Sequence, residues 1–183
     1  MNENGLDEEG QKRVKGRNAE IIVEKMFNEL GLEIHFSGAE NYVGLVKGII
    51  NGRKLVHDDE FMKLFKIPDF IAVINNGLFF IEVKYRQHGR FDEKDIPRLK
   101  ILKEVWKPAI ILVSNNSRYK VPIFQVVPHP YNLDEERNPV EARSILESGW
   151  GIKPEVLKMC ERLIISEITG PKENEYGYKE NEL

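Results

Sequence analysis

The chain has 183 residues, of which 41% are hydrophobic, and its formal net charge is -3. This length is enough to bury one sizeable core, so we expect one domain rather than two. No apolar run reaches the roughly 18 residues that suggest a transmembrane helix, and the N-terminal residues lack the basic and apolar regions of a secretory signal. We therefore expect a cytoplasmic protein.

The negative net charge argues against a nucleic-acid partner, but the charges are unevenly distributed. Residues 1–10 carry four acids and no base, whereas residues 11–17 carry four bases and residues 84–90 carry three. Local charge decides nucleic-acid binding more than the total does. Each basic run could equally be an ordinary solvated face, so both interpretations stay open.

The first predicted element is a helix over residues 11–30. Apolar side chains recur there at helical spacing, and Gly31 stands where a helix commonly ends. One edge of the apolar stripe should carry Arg13, Gly16, Glu20 and Glu24, because successive residues turn by about 100°. The stripe itself consists of Ala19, Ile22, Val23, Met26, Phe27 and Leu30.

A β-hairpin is predicted over residues 69–75 and 78–85, which are rich in β-branched and aromatic side chains. Asn76-Gly77 between them is a strong signal for a two-residue turn. In the register that this turn implies, Ile71 lies opposite Glu82 and Asp69 lies opposite Lys84.

The remaining elements complete an α/β fold, with a mixed β-sheet flanked by helices and further helices at the C-terminal end. The apolar run 109–113 predicts a strand covered on both faces, and the apolar pattern around Cys160 predicts a buried thiol. We expect one domain over residues 1–170, with a core at 11–127, a helical extension at 128–170 and a flexible polar tail at 171–183. The other predicted elements are strands at 32–36 and 121–127 and helices at 58–65, 94–106, 140–146 and 154–168.

The charged side chains of the hairpin predict a metal site. Asp69, Glu82 and Lys84 should share one face, with Asp69 diagonal to Glu82. A buried carboxylate costs several kcal/mol unless it is paired or binds a metal, and two carboxylates suit Mg²⁺. With Lys84 beside a metal-bound water, the arrangement suits phosphodiester hydrolysis. The alternative is an ordinary cross-strand ion pair between Asp69 and Lys84, with Glu82 facing solvent.

The sequence resembles the PD-(D/E)XK nuclease superfamily, which has a restriction-endonuclease-like fold, and within it the archaeal Holliday-junction resolvase branch. The matching residues lie within the first 115 residues of the chain. They are Gly16 with Ala19-Glu20, Ser37-Gly38, the PDFIAV segment from Pro68 and the IEVKYR segment from Ile81.

The resemblance implies the roles of the site residues. Asp69, Glu82 and the Val83 carbonyl would hold Mg²⁺, for which Mn²⁺ could substitute, and Lys84 would assist the nucleophile. Glu20 would complete the metal site, with Glu24 as the rival position. The residues expected near DNA are Arg13, Lys15, Arg17, Ser37, Arg86 and Arg90.

The leading hypothesis is a Mg²⁺-dependent DNA endonuclease, acting on branched DNA or a Holliday junction in repair, recombination or a mobile element. A resolvase-like enzyme would act as a homodimer, because it cuts two symmetric strands. Residues 39–67 and those after Val127 exceed what a compact resolvase needs, which leaves the substrate open. The alternatives are a non-catalytic DNA-binding or assembly protein with this fold, and an RNA-processing nuclease of the same superfamily.

Overall fold

In the computed structural model, the residues described are 7–37, 66–115, 123–132 and 142–169. They form three α-helices and six strands, numbered here in chain order. These are α1 (Glu8–Glu29), β1 (Glu33–Phe36), β2 (Phe70–Ile74), β3 (Gly77–Tyr85), α2 (Asp95–Val105), β4 (Ala109–Val113), β5 (Phe124–Val127), β6 (Arg143–Ser144) and α3 (Pro154–Ile164). A 3-10 turn at Ile145–Ser148 precedes α3, and a π-helical turn at Ile165–Thr169 follows it.

The six strands form one mixed sheet in the order β1-β2-β3-β4-β5-β6. Only β3 and β4 are parallel, and α2 is the crossover between them. All other neighbouring strands are antiparallel. The predicted α/β class with a mixed sheet is therefore confirmed.

The core has two parts, one on each face of the sheet. On one face, α1 and α3 cover strand residues such as Ile81, Val83 and Ile111. On the other face, α2 covers residues such as Ile110 and Leu112 through Leu99 and Leu102. Burial of these apolar side chains, at roughly 25 cal/mol per Å², is the main force that holds the helices to the sheet.

The first helix confirms its predicted apolar stripe. Ala19, Ile22, Val23, Met26 and Phe27 are all buried, and Gly31 follows the helix with a φ of 65°. The helix begins three residues earlier than predicted, because the side chain of Asp7 accepts a hydrogen bond from the Gly10 N–H and caps it.

The hairpin forms, but its predicted turn is wrong. The two turn residues are Asn75 and Asn76, which have φ values of 50° and 62°. Asparagine tolerates this left-handed conformation, so Gly77 is left to begin β3. Ile74 pairs with Gly77, and Ile71 faces Phe80 rather than Glu82. The shift is of two residues, which preserves the face of every side chain.

The prediction of a helix at 140–146 is wrong for the residues that the structure describes there. Arg143 and Ser144 form β6 against β5, and a 3-10 turn follows. The local sequence favours this because Ser144 and Glu147 form a capping box that starts a turn at Ile145. The strand predicted at 121–127 is present as Phe124–Val127, and residues 121–122 lie outside the described residues.

Other predictions have mixed outcomes. The strand at 109–113 is buried at every position, and Cys160 is fully buried beside α1, where burial raises its thiol pKa to about 11. The predicted helix at 58–65 and the tail at 171–183 lie outside the described residues. In the described part of the chain, no helix combines the length and apolarity needed to cross a membrane.

Candidate active site

The acids and the lysine of the predicted motif lie near the C-terminal half of β3. Ile81 and Val83 point into the core beneath α1 and α3, so Glu82 between them points to the opposite face, toward α2. Lys84, two residues further on, shares that face. The alternation of a strand therefore places an acid and a base side by side beneath α2.

Glu82 has no solvent exposure and is held by two cations. Arg98 on α2 donates from Nε to Oε1 at 3.0 Å and from an Nη atom to Oε2 at 3.2 Å. The Nζ atom of Lys84 also contacts Oε1. This pairing offsets the cost of burying the carboxylate, which would otherwise be several kcal/mol. The alternative that Glu82 faces solvent is wrong.

Asp69 lies immediately before β2, and its position corrects the predicted geometry. The last described pair of the hairpin is Phe70 with Ile81, so one further step sets Asp69 opposite Glu82 rather than opposite Lys84. The Val83 N–H donates to Asp69 Oδ2 at 2.7 Å. The register therefore sets Asp69 across from Glu82 and not diagonal to it, as had been expected.

Ser37 holds the backbone segment that carries Asp69. Its hydroxyl donates to the Pro68 carbonyl at 2.9 Å, and its N–H donates to the Asp69 carbonyl at 2.9 Å. Ser37 is buried. It therefore anchors the end of β1 to the segment that carries the acid, a positioning role that was not predicted from the sequence.

Asp69 is held in an environment that disfavours its charge. Burial, and then the negative charge of Glu82, raise the pKa of the Asp69 carboxyl to about 7, although Lys84 partly opposes the rise. Glu20 on α1 also contributes to the increase. The negative charges of Glu82 and Glu20 thus both act on Asp69 at this end of the sheet, and they disfavour the charged form of its carboxyl group.

Glu20 suits the helix position in the site better than its rival Glu24. The charge of Glu20 acts on both Asp69 and Arg98, whereas Glu24 is not among the groups that shift either pKa. Glu20 accepts a hydrogen bond from Arg17 at 2.8 Å and is only partly exposed. The side of α1 that carries Glu20 therefore faces the hairpin acids.

The residues predicted to contact DNA fall into two groups. Arg86 is engaged in an ion pair with the buried Asp95, and Ser37 holds the Pro68 carbonyl. The others have accessible side chains. Arg90 is exposed, Lys15 is partly exposed, and Arg13 and Arg17 keep half or more of their side-chain surface in solvent while pairing with Glu9 and Glu20.

Two residues near Glu82 were missed by sequence reasoning, namely Arg98 and Tyr131. Burial and the charge of Glu82 raise the pKa of Tyr131, whose hydroxyl donates to the Leu99 carbonyl at 2.6 Å. The helical spacing of Leu99 and Leu102 revealed the buried face of α2. It could not reveal that Arg98, beside that face, would lie over an acid of β3.

The side chains offer the type of atom that a hard divalent cation binds, but they are not arranged around a common point. Asp69, Glu82 and Glu20 offer carboxylate oxygens, which Mg²⁺ prefers. Burial and the charge of Glu82 raise the pKa of the Asp69 carboxyl, so a cation bound beside it would stabilise its charged form. However, within the described ranges no three such side chains are grouped to hold a metal, and Glu82 is engaged by Arg98 and Lys84. The Val83 carbonyl stays a predicted ligand.

Comparison with protein-family models finds no match, and comparison with curated proteins also finds none. The resemblance to the nuclease superfamily therefore stays a prediction that depends on the motif residues alone.

Proposed function

We propose that this protein is a metal-dependent endonuclease that hydrolyses phosphodiester bonds of DNA. The observation that carries the proposal is the convergence of Asp69, Glu82 and Lys84 at one end of the sheet, with the charge of Glu20 acting on Asp69. Burial beside the negative charge of Glu82 makes the charged form of Asp69 costly, and groups perturbed in this way concentrate at functional sites. A catalytic use for the site explains why this cost is tolerated.

In this proposal Asp69, Glu82 and the Val83 carbonyl would hold Mg²⁺ or Mn²⁺, and Glu20 would complete the set of ligands. The bound cation would supply positive charge for the phosphate and lower the pKa of a coordinated water. Lys84 then has two functions. Its ammonium group balances the buried Glu82 carboxylate, and it orients the attacking water or transfers a proton at the reacting phosphate.

The architecture is compatible with a restriction-endonuclease-like sandwich, because an antiparallel hairpin is followed by a crossover helix and a parallel strand. Arg13, Arg17 and Arg90 are accessible cations that could bind phosphates, and Lys15 could join them. We also propose that the protein is a homodimer, because symmetric cleavage of a branched substrate needs two active sites.

The test is a cleavage assay with the full chain in Mg²⁺, Mn²⁺ or chelator. The substrates are supercoiled plasmid, a linear duplex, a four-way junction and an RNA of the same sequence. We expect metal-dependent cleavage of DNA that is lost in Asp69→Asn and retained in Asp92→Asn, an exposed acid outside the site. Equal cleavage in chelator would contradict the proposal, and cleavage of RNA alone would favour the RNA-processing nuclease.

A second candidate function is a non-catalytic DNA-binding or assembly protein with the same fold. The observation that favours it is the engagement of Glu82 by Arg98 and Lys84, which leaves this carboxylate charge-balanced without a metal. Titration with Mn²⁺ separates the two candidates. If DNA binds but the site takes up no Mn²⁺ and nothing is cleaved, the binding protein is the correct function.

A further inference from the structure

We propose that Arg98 is a positioning residue that holds Glu82 in the metal-free protein and releases it when a divalent cation binds. This inference depends on the proposed function, since it concerns the same site. It adds a residue outside the predicted motif, and it assigns that residue a role in metal uptake.

The hydrogen bonds of Glu82 show why Arg98 and a cation would compete. Both carboxylate oxygens of Glu82 accept hydrogen bonds from Arg98, at 3.0 and 3.2 Å, and Oε1 also contacts Lys84. A carboxylate that a guanidinium group binds through both oxygens has its strongest acceptor directions occupied. A cation can use Glu82 as a ligand only if at least one of these hydrogen bonds is given up.

The charges around Arg98 support the same conclusion. The negative charges of Glu82, Asp69 and Glu20 all act on the Arg98 guanidinium group. The guanidinium group therefore lies in the field of all three proposed metal ligands. It provides part of the positive charge that a bound cation would otherwise provide, which avoids an uncompensated buried acid in the metal-free state.

Arg98 is also placed where it can be released without unfolding α2. Its side chain is 40% exposed, although its carboxylate partner has no exposure. The helix itself is anchored by Leu99 and Leu102, which are fully buried on the sheet. The guanidinium group can therefore turn toward solvent or toward a substrate phosphate while the helix keeps its position.

Lys84 is less suited to this role. It lies on the same strand as Glu82, and its side chain is 14% exposed, so it has less access to solvent. Its ammonium group also contacts only one of the two oxygens. Of the two cations that bind Glu82, Arg98 is therefore the one that a metal can displace most readily.

The test measures the affinity of the full chain for Mn²⁺. Free Mn²⁺ is quantified in each titration by its electron paramagnetic resonance signal. Removing a positive charge near a cation site strengthens cation binding, so Arg98→Met should raise Mn²⁺ affinity about tenfold. The matched control is Lys100→Met, which removes an exposed cation from the same helix and should leave the affinity within about twofold. Thermal unfolding of each variant is recorded in parallel.

Arg98→Lys keeps the charge but cannot bind both oxygens in the same plane, so its affinity should rise by only about threefold. This variant provides the test if Arg98→Met does not fold. Unchanged or weaker Mn²⁺ binding in a folded Arg98 variant would overturn the inference while leaving the proposed nuclease intact. If the wild-type protein neither binds Mn²⁺ nor cleaves DNA, the proposed function and this inference both fail.

Discussion

Two buried carboxylates, Glu82 and Asp95, are each held by an arginine through two hydrogen bonds, yet their surroundings differ. Arg86 binds both oxygens of Asp95, and the Asp92 N–H donates to Asp95 Oδ2 at 2.8 Å. Asp95 is the first residue of α2, so its negative charge also favours the helix dipole. These contacts explain Asp95 as a structural residue that starts the helix.

Glu82 has an arginine and a lysine as partners, but it lies beside another acid. Asp69 lies across the hairpin from Glu82. Burial and the charge of Glu82 raise the pKa of the Asp69 carboxyl to about 7. If the pair of Glu82 with Arg98 were purely structural, its surroundings would resemble those of Asp95. An ion pair with arginine therefore does not by itself identify a functional acid. The distinguishing feature is a neighbouring carboxylate that the protein leaves poorly compensated.

The largest effect expected is on catalysis at Asp69. Asp69→Asn should reduce Mg²⁺-dependent DNA cleavage by about a thousandfold, because it removes a proposed ligand of the cation. The metal-free variant should nevertheless be at least as stable as the wild-type protein, since the substitution removes a destabilised charge. Cleavage rates and urea unfolding measure the two effects. A loss of activity that only reflects a loss of folded protein would contradict a functional role for Asp69.

The second effect is on stability at Asp95. Asp95→Asn should lower the free energy of unfolding by about 3 kcal/mol, because it leaves the partly buried Arg86 without its carboxylate partner. Asp92→Asn removes an exposed acid that also pairs with Arg86, and it should cost less than about 1 kcal/mol. Urea unfolding gives both values. A folded Asp95→Asn protein with a thousandfold lower activity would show that this pair is functional as well.

The third effect distinguishes the two acids on α1. Glu20→Gln should reduce cleavage about thirtyfold, because Glu20 acts electrostatically on Asp69 and completes the proposed metal site. Glu24→Gln, one helical turn further on, should change the rate by less than about twofold. Initial rates under saturating Mg²⁺ measure the difference. Equal losses of cleavage rate in the two variants would contradict the assignment of Glu20 to the metal site.

The smallest effect expected is a pH dependence. In the folded metal-free protein, Asp69 holds a proton up to about pH 7, whereas in the unfolded chain it loses that proton near pH 3.9. Its contribution therefore favours folding at low pH and is lost as the pH rises toward and through 7. A cation replaces the proton, so Mn²⁺ affinity should fall about tenfold from pH 6.5 to 5.5. Calorimetry at both values tests this, and Asp69→Asn should show a weaker dependence.

The sequence was sufficient to predict features that depend on local periodicity. The apolar stripe of α1, the buried strand at 109–113 and the charges that interrupt β3 were all visible as patterns. The turn was misplaced because Asn75-Asn76 and Asn76-Gly77 are both favourable for a left-handed turn, and only the packing of the hairpin selects between them.

Contacts between distant elements could not be predicted in this way. Arg98 reaches Glu82 because the crossover from β3 to β4 brings α2 over that face of the sheet, and periodicity does not set the lateral position of a helix. The same is true of Ser37, whose contact with Pro68 joins residues separated by 31 positions. The sequence therefore indicated the acids, whereas the structure supplied the groups that hold them.

The proposed metal site is tested most directly by Mn²⁺ binding to the wild-type protein, Asp69→Asn and Asp95→Asn at pH 7.5, measured by isothermal titration calorimetry. The wild-type protein should bind Mn²⁺, with an affinity that is at least about tenfold lower in Asp69→Asn and unchanged within about twofold in folded Asp95→Asn. Equal affinity in the wild-type and Asp69→Asn proteins would contradict the claim that the acids beside Glu82 form the metal site.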